Sequence, residues 1–349
     1  MIRLFVANLL AHRKSKDFPI ELSDVMDDSV ILVTGAAGFV GSRLAKRLLS
    51  TGHCVVGIDN LHDYYSLDLK QNNLKDLRSE DGFTFIEMDI REPVDVSRLF
   101  DDYKIAKVAH LAAMAAVRYS AKYPLIYGTV NVQGTANLLD AARQHGNPPC
   151  VLASTGSVYG ADTPVPFKED AAAAHPLAPY PASKRAMELF AHAFNHLYKL
   201  DVTILRFFNV YGPHGRPDMM PWQWTRQILA GEPLTLYGAG KLKRDWTFID
   251  DILAGFTAAL EKPMGFEIMN LGCANPVENI EFVHTLERLL EKKAQIIDTP
   301  TPASEPPFTY ADVSRAKRLL GYEPKVNVAE GLRRFIDWLR ANRLMEGLS

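Results

Sequence analysis

The sequence of 349 residues contains only three cysteines, and these lie far apart, at Cys54, Cys150 and Cys273. An odd and widely spaced set of this kind predicts neither a disulfide framework nor a CxxC metal site, and it fits a reducing cytoplasm. No stretch approaches the roughly 18 consecutive apolar residues that would span a bilayer. Glycine and proline, at 22 and 21 residues, are near their ordinary background, which excludes collagen-like and low-complexity chains.

The chain also lacks an excess of charge of one sign. It has 39 basic and 41 acidic side chains, and its formal net charge is -2. A balance this close to neutral supplies no broad cationic surface for a nucleic-acid backbone, so we expect no nucleic-acid partner. Hydrophobic residues make up 47% of the chain. This length and composition predict a globular protein of about two domains.

The first 28 residues differ from the rest. Apolar residues cluster between Ile2 and Leu10, but basic residues follow them and no small-residue cleavage site is present, which is not typical of a signal peptide. The apolar spacing suits one face of a short helix. We therefore predict a docked or frayed N-terminal extension, with an interaction arm as the alternative.

From Ser29 onward, short β-branched segments alternate with longer segments of helical periodicity, which is the pattern of a parallel sheet covered by helices on both faces. Strands are predicted at residues 30–33, 54–58, 84–88, 106–111, 150–153 and 202–205, and two shorter ones near 246–249 and 267–271. Helices are predicted at residues 41–50, 97–103, 130–143 and 184–200. The fold class is therefore α/β, with a doubly wound parallel sheet.

After about Gly212 the sequence changes to loops rich in proline and glycine. This change predicts a smaller, discontinuous C-terminal domain, with the chain returning once to the sheet. The predicted divisions are residues 1–28 for the extension, 29–212 and 246–272 for the sheet domain, and 213–245 and 273–349 for the smaller domain.

Three glycines, Gly35, Gly38 and Gly41, follow the first predicted strand and precede a helix. Glycine allows a tight turn and a close approach of the backbone to a pyrophosphate, whose charge is met by N–H groups at the start of the helix. The second predicted strand ends at Asp59, at the interval where a carboxylate can accept both hydrogen bonds from a ribose diol. Such a carboxylate would repel a 2′-phosphate, so the sequence favours NAD over NADP and predicts a Rossmann-like domain. The alternative is that the glycines serve only a turn.

Further cofactor-binding candidates lie at the ends of neighbouring predicted strands. Asp89, after the third strand, could reach an adenine amino group or cap its own loop. The remaining candidates are Phe39, Val40, Asn60, Ile90, Leu111, Ala112 and Ala113.

The pattern Tyr-x-x-x-Lys occurs three times, beginning at Tyr103, Tyr180 and Tyr237. Ligands of open parallel sheets bind at the carboxyl ends of the strands. Tyr103 precedes the fourth predicted strand and so lies at its amino end. Glycines typical of a turn surround Tyr237, and in a turn a four-residue spacing does not bring the two side chains together. Only Tyr180 and Lys184 open a helix after the fifth strand, where residues i and i+4 share a face. We predict that this pair is catalytic and that both side chains contact the cofactor.

The fifth predicted strand places hydroxyl groups, those of Thr155 and Ser157, at the edge of the sheet. A tyrosine with a reference pKa of ~10 is a poor base at neutral pH, but the ammonium of Lys184 and an oxidised nicotinamide both favour the phenolate. Tyr180 is then predicted to accept a proton from a substrate hydroxyl, and Thr155 to hydrogen-bond the same oxygen. The alternative is a surface tyrosine and lysine that stabilise a helix.

Together these motifs resemble the extended short-chain dehydrogenase/reductase family and, within it, the nucleotide-sugar 4-epimerases, above all those that act on UDP-uronates. The resemblance extends from about residue 30 to residue 338. Its segments are residues 110–113 (HLAA), 117–120 (VRYS), 206–213 (RFFNVYGP), 215–219 (GRPDM), 244–251 (RDWTFIDD) and 316–321 (AKRLLG).

The resemblance implies a homodimeric isomerase that holds NAD tightly in its oxidised form. The implied reaction is transient oxidation at C4 of a UDP-sugar and reduction on the opposite face, most closely the conversion of UDP-glucuronate to UDP-galacturonate. Arg244 would bind the pyrophosphate, Arg216 the phosphate or sugar, and Arg118 the sugar carboxylate. The implied substrate-binding residues are Arg118, Ser157, Asn209, Arg216, Arg244 and Glu305.

Single positions separate the sister reactions. The 4,6-dehydratases have an Asp-Glu pair where this chain has Gly156 and Ser157, and UDP-glucuronate decarboxylases have a glutamate at the second position, so both reactions are disfavoured. Asn209, Gly156 and Met114 also depart from the uronate epimerases. The alternatives within the family are a UDP-glucose or UDP-N-acetylhexosamine 4-epimerase and a UDP-glucuronate decarboxylase. The alternative from a different class is a non-catalytic NAD-binding sensor.

Overall fold

The structure is a computed structural model that describes residues 30–345, so the predicted N-terminal extension lies outside the described residues. The strands are β1 (Val30–Thr34), β2 (Cys54–Asp59), β3 (Phe83–Glu87), β4 (Ile105–His110), β5 (Cys150–Thr155), β6 (Val202–Phe207), β7 (Val210–Tyr211), β8 (Pro233–Tyr237), β9 (Lys243–Arg244), β10 (Thr247–Phe248), β11 (Phe266–Leu271), β12 (Val277–Glu278) and β13 (Gln295–Thr299). The helices are α1 (Phe39–Ser50), α2 (Leu67–Arg78), α3 (Pro93–Asp102), α4 (Val117–Lys122), α5 (Pro124–Tyr127), α6 (Thr135–Gln144), α7 (Pro179–Tyr198), α8 (Met220–Ala230), α9 (Ile249–Glu261), α10 (Asn279–Leu290), α11 (Ser314–Leu320) and α12 (Val328–Ala341). Across this range, no helix is both long enough and apolar enough to cross a membrane.

Seven of these strands form one parallel sheet in the order β11-β6-β5-β4-β1-β2-β3. The chain runs outward from β1 through β2 and β3, and then returns to pair β4 with the other side of β1. The strand order therefore reverses between β1 and β4. In open α/β sheets, ligands bind in the crevice at such a switch point, outside the carboxyl ends of the strands. The predicted Rossmann-like doubly wound sheet is confirmed.

The sheet is buried on both faces because its central strands consist mainly of apolar residues. In β1, Ile31 and Val33 pack into a cluster that includes side chains of α1 and α9, whereas Leu32 packs into a cluster with α6 and α7. Successive side chains of a strand point to opposite faces, so a continuous apolar run covers both.

The later part of the chain builds three small two-stranded sheets, β7 with β10, β8 with β13, and β9 with β12. Its aromatic side chains, among them Trp246, Phe282 and Phe335, belong to the same apolar cluster as Ile31 and Val33. The predicted smaller domain therefore shares core with the sheet. Its boundaries at residues 212, 246 and 272 stay a prediction.

Several local elements differ from those predicted. Helix α2 was not predicted, because its sequence is so polar that its apolar face consists mainly of Leu74 and Leu77. The strand predicted at 246–249 is only the two residues of β10, since α9 begins at Ile249. The helix predicted at 130–143 is a π-helical segment, Gly128–Gly134, followed by α6.

Candidate active site

A cavity of about 400 Å³ opens at the carboxyl ends of β1, β2, β4, β5 and β6. Every cofactor-binding candidate lines it, namely Gly35, Gly38, Phe39, Val40, Gly41, Asp59, Asn60, Asp89, Ile90, Leu111, Ala112, Ala113, Tyr180 and Lys184. A second cavity of about 370 Å³ adjoins it, and the substrate-binding candidates Arg118, Ser157, Asn209, Arg216, Arg244 and Glu305 all line this one. The structure thus brings the candidates together, and their individual roles stay predictions.

The turn between β1 and α1 requires its glycines. Gly35 has a φ of +72°, and a Cβ on Gly41 would lie 2.0 Å from the carbonyl oxygen of Gly35. Helix α1 begins directly after Gly38, without a side-chain cap. The first N–H groups of a helix have no intrahelical acceptors and attract anions. The turn therefore fits a pyrophosphate.

Asp59, the last residue of β2, is almost fully buried. Its Oδ2 accepts a hydrogen bond from the Ala37 N–H at 3.2 Å, and its Oδ1 accepts one from the Leu61 N–H at 2.9 Å. The ammonium of Lys70 lies 3.4 Å from the same Oδ1. Lys70 was not predicted as a site residue, because it lies on α2, a helix that was not predicted either.

The Asp89 carboxylate is held within its own loop. Its oxygens accept hydrogen bonds from the Arg91 guanidinium at 2.7 to 3.1 Å and from the Asn60 amide at 2.8 Å. The hydrogen bonds from Arg91 lower the pKa of Asp89 to about 2. Asp89 also accepts from the backbone N–H of Arg91, which is the loop-cap arrangement, while it lines the cavity.

Tyr180 and Lys184 occupy the first turns of α7, which Pro179 opens. The Lys184 ammonium is buried and donates to the carbonyl of Ala153 at 2.9 Å, at the end of β5. Burial lowers the pKa of Lys184 to about 8, and the nearby Glu188 carboxylate opposes this shift. The bond to Ala153 fixes the ammonium against the sheet.

The groups that shift the pKa of Tyr180 differ in part from those predicted. Burial raises the pKa of Tyr180, whereas a hydrogen bond with Thr155 and the positive charge of Arg216 lower it. The prediction was that the Lys184 ammonium and an oxidised nicotinamide both favour the phenolate. In the structure, Thr155 and Arg216 lower the pKa of Tyr180, and the Lys184 ammonium is bound to the carbonyl of Ala153.

Thr155 ends β5, and its hydroxyl lies 3.2 Å from that of Ser157 and accepts the Ser157 N–H at the same distance. Between them, a Cβ on Gly156 would lie 2.9 Å from the ring of Phe208. The glycine therefore allows the aromatic ring to pack against the end of β5. Both hydroxyls stay at the wall of the cavity.

A buried ion pair, which was not predicted from the sequence, lies below this site. Glu188 on α7 and Arg206 on β6 are both almost wholly buried and make two hydrogen bonds, at 2.9 and 2.7 Å. Glu188 also accepts from Ser154 at 2.6 Å and from Arg185 at 3.0 Å. This network ties α7 to β5 and β6 directly beneath the candidate catalytic residues.

A second buried network holds the loop after β4. The Thr34 hydroxyl accepts the N–H groups of Leu111 and Ala112, both at 3.0 Å, so its own proton is donated to Nδ1 of His110 at 2.7 Å. His110 Nε2 then donates to Thr135 at 2.8 Å. Burial lowers the pKa of His110 to about 3, so the ring stays neutral.

Arg216 lies where the two cavities meet. Its Nε and Nη2 both bind Asp218 at 2.9 Å, and the Tyr64 hydroxyl donates to Asp218 at 2.9 Å. This arrangement orients the guanidinium and leaves its Nη1 for another acceptor. The positive charge of Arg216 is the one that lowers the pKa of Tyr180.

The outer end of the second cavity holds two arginines that share one carboxylate. Arg244, which is 3% exposed, binds Glu305 at 3.0 Å, and Arg118, whose side chain is 57% exposed, binds it at 3.4 Å. The Arg118 guanidinium also lies 5.2 Å from the ring centre of Tyr237. Arg118 lines the outer cavity and not the one that contains Tyr180, and its implied contact with the sugar carboxylate stays a prediction.

Asn209 lines both cavities. Its Oδ1 accepts a hydrogen bond from the Thr309 hydroxyl at 3.3 Å, and Thr309 in turn accepts from the N–H of Asp245 at 3.0 Å. The Asn209 amide is thereby fixed with its oxygen occupied. Its N–H groups are the ones left for a ligand.

Comparison with known proteins agrees with this geometry. A model of the NAD dependent epimerase/dehydratase family matches residues 31–272. UDP-glucuronate 4-epimerase of Thermodesulfobacterium geofontis is 42% identical over 312 residues, covering 89% of this chain and 96% of the relative. The chain belongs to the NAD dependent epimerase/dehydratase family, which confirms the resemblance seen in its motifs.

Two solved structures are similar over most of the chain. UDP-glucuronic acid 4-epimerase from Bacillus cereus, in complex with UDP-glucuronic acid and NAD, has a TM-score of 0.84 and 36% identity, and the match covers 90% of this chain and 99% of that one. UDP-glucose 4-epimerase from Thermotoga maritima, with UDP-glucose, has a TM-score of 0.83 and 29% identity, with the same coverage.

Proposed function

We propose that this protein is an NAD-dependent isomerase that converts UDP-glucuronate to its 4-epimer, UDP-galacturonate. The observation that carries the proposal is the position of Thr155, Tyr180 and Lys184, which line the same cavity as the glycine turn and Asp59. An arginine-lined cavity adjoins it. The similar proteins from T. geofontis and B. cereus bear the name of this activity, and the B. cereus structure contains both UDP-glucuronic acid and NAD.

The residues present fit NAD. The glycine turn opens the cavity to the uncapped N-terminus of α1, whose N–H groups suit a pyrophosphate, and Asp59 offers carboxylate oxygens at the ribose position. When bound, NAD supplies the reversible oxidation at C4 of the sugar. The protein's contribution is to hold the sugar beside it and to manage the proton of the 4-hydroxyl.

Tyr180 is the proton acceptor in this proposal. Burial favours its protonated form, but Thr155 and Arg216 act in the opposite direction. With a pKa of about 8, Lys184 is mostly charged at neutral pH and adds to the positive surroundings. Tyr180 can therefore take the proton of the sugar 4-hydroxyl and later return it, while Thr155 hydrogen-bonds the same oxygen.

The arginines hold the rest of the substrate. Arg244, buried at the outer end, suits the UDP pyrophosphate, and Arg216, nearer Tyr180, suits the sugar and its carboxylate. Ser157 and Asn209 supply hydrogen-bond donors between them. Because the diphosphate is anchored, the oxidised sugar can rotate and present its opposite face while it stays enclosed, which epimerisation requires.

The homodimer implied by the family resemblance and the cytoplasmic location indicated by the cysteines are part of the proposal. Helix α7 exposes Leu189, Phe190 and Leu197 at 56%, 45% and 65%, and Leu125 is 85% exposed. Apolar side chains exposed at this level favour a surface that another chain covers. Sedimentation equilibrium would test the dimer.

A UDP-hexose such as UDP-glucose is the second candidate substrate, on the basis of Gly156 and Asn209. At position 156 no side chain is available to bind a carboxylate, since the Phe208 ring occupies the space a Cβ would need. Asn209 offers an amide, which can bind a neutral hydroxyl as readily as a carboxylate. The T. maritima structure contains UDP-glucose.

The decisive experiment incubates the purified protein with UDP-glucuronate, or with UDP-glucose, without added NAD. We expect the 4-epimer and no net formation of NADH. Tyr180→Phe should abolish turnover yet keep its bound NAD, and Tyr198→Phe, an exposed position on the same helix, is the matched control. Full activity in Tyr180→Phe would refute the role of Tyr180. A pentose or a 4-keto-6-deoxy product would refute epimerisation, and NAD binding without turnover of any UDP-sugar would favour the sensor.

A further inference from the structure

The loop between β7 and α8, residues 212–219, brings Arg216 to the boundary of the two cavities. Two backbone hydrogen bonds close turns within this loop. The N–H of Gly215 donates to the carbonyl of Gly212, and that of Met219 donates to the carbonyl of Arg216, both at 3.1 Å. Such bonds shape the loop, but they do not fix it relative to the helices around it.

His214, two residues before Arg216, connects this loop to two helices at the cofactor end. Its Nδ1 donates to Oδ1 of Asn73 on α2 at 3.0 Å, because an amide oxygen can only accept. The Asn73 amide nitrogen donates to the carbonyl of Ala37, within the glycine turn, at 3.1 Å. His214 Nε2 accepts from Nη1 of Arg43 on α1 at 3.1 Å. Both ring nitrogens are therefore used by the neutral ring with its proton on Nδ1.

The partners of the His214 ring favour a single position for it. Nε and Nη2 of Arg43 are buried and have no hydrogen-bond partner among the described residues, so His214 supplies an acceptor to a guanidinium that has few. On another side the ring packs against Trp338 of α12, with ring centres 4.8 Å apart. Contacts with three helices thus surround one side chain of the loop.

The backbone at His214 is strained. Its φ of +65° lies in the left-handed region, which residues other than glycine seldom adopt. Such a conformation costs free energy and persists where the surrounding structure holds it in place. The contacts of the ring hold it here, and the turn they impose on the chain leads directly into Arg216.

We propose that His214 is a positioning residue, which holds the loop so that the Arg216 guanidinium meets the sugar of the substrate beside Tyr180. His214 itself lines neither of the two cavities that the described residues form, so it acts through Arg216 and not on the ligand. Because its partners lie on α1 and α2, it sets the distance between the glycine turn and the loop that carries Arg216. This inference rests on the proposed function and adds to it a residue outside both cavities.

The test is titration of the full-length protein, with its NAD bound, by isothermal calorimetry in a Tyr180→Phe background that prevents turnover. His214→Phe keeps a ring against Trp338 and removes both hydrogen bonds. It should raise the Kd for UDP-glucuronate by about tenfold to a hundredfold, the loss expected for one charge-assisted hydrogen bond from a displaced guanidinium. The Kd for UDP should stay unchanged, since UDP has no sugar for Arg216 to bind. Equal weakening of the two ligands, or no weakening, would overturn the proposal.

A matched control and a double-mutant cycle separate positioning from a general loss of structure. His284→Phe, an exposed position on α10, should leave both Kd values unchanged. Arg216→Met should weaken UDP-glucuronate, and His214→Phe/Arg216→Met should bind it no more weakly than Arg216→Met alone, because His214 acts through Arg216. Additive losses would contradict the proposal.

Two further variants keep the test valid if His214→Phe folds poorly. His214→Asn keeps a donor near the position of Nδ1 and a residue that accepts the left-handed conformation, so it should bind UDP-glucuronate more tightly than His214→Phe. Arg43→Met removes the donor to Nε2 and should weaken UDP-glucuronate but not UDP; equal effects on both ligands would count against the proposal. Wild type that binds UDP-glucuronate without epimerising it would refute the proposed reaction and not this inference, whereas wild type that binds no UDP-sugar would refute both.

Discussion

Replacing Gly41 with alanine tests how closely α1 must approach the glycine turn. The added Cβ would lie 2.0 Å from the carbonyl oxygen of Gly35 and 2.7 Å from its carbonyl carbon, and both are backbone atoms that no rotamer change can move. Ordinary van der Waals contact begins at 3.4 Å, so α1 and the turn must separate by the difference, about 1.4 Å. A close-packed interior resists such a shift. We expect a loss of about 1 to 3 kcal/mol in the free energy of unfolding.

The same displacement should weaken NAD binding by about a hundredfold, because a 1 Å misplacement at a site can cost that factor. Urea unfolding measures the first effect and calorimetric titration with NAD the second. Gly128→Ala is the matched control, since Gly128 also has helical dihedral angles but a Cβ there meets nothing within 4 Å. That variant should be neutral or gain up to about 1 kcal/mol. Wild-type stability and NAD affinity in Gly41→Ala would refute the argument.

Three other expectations follow from the networks around the site. Glu188→Gln leaves the Arg206 guanidinium without its buried counter-charge and should lower the free energy of unfolding by about 3 to 5 kcal/mol, measured in urea. Glu188→Met/Arg206→Met should recover much of this loss, and equal losses in the single and double variants would contradict the reasoning. Burial lowers the pKa of His214 from 6.5 to about 3, so between these values the unfolded state binds a proton that the folded state does not. Stability should therefore fall as the pH falls through this window, by up to about 1.4 kcal/mol per pH unit from this group; His214→Gln should remove that part of the slope, and an unchanged slope between pH 4 and 6 would be evidence against it. Asn209→Thr removes the fixed amide and makes room for a carboxylate beside a hydroxyl donor, so kcat/KM for UDP-glucuronate relative to UDP-glucose should rise by about tenfold; a fall in that ratio would contradict the assignment.

The sheet and the reacting end of the site could be predicted from the sequence because both depend on local patterns. Apolar β-branched runs followed by glycines define β1 and its turn, and the strand-end rule separates Tyr180 from the other two Tyr-x-x-x-Lys matches. In the structure, Lys107, from the first of those matches, pairs instead with Glu261 at 3.2 Å. Periodicity and topology carry this information without knowledge of distant contacts.

The parts that were missed depend on contacts between distant residues. Helix α2 has too few apolar residues to show a periodic face, so Lys70 was not seen to lie beside Asp59. Glu188 has the spacing of an ordinary surface charge, and only the folded sheet brings Arg206 to it. Charged side chains have no periodic signal that distinguishes a buried pair from a solvated one.

The hydrogen-bond series from Thr34 through His110 to Thr135 has a consequence for where protons can travel. Every hydrogen bond in the series runs in one direction. That direction is set at one end by the N–H groups of the loop after β4 and at the other end by the carbonyl of Asn131. A proton passing along it would leave two donors facing each other. The fixed directions therefore oppose proton transfer along the series, and in the proposed reaction they would keep the proton of the sugar hydroxyl on the cavity side of the sheet.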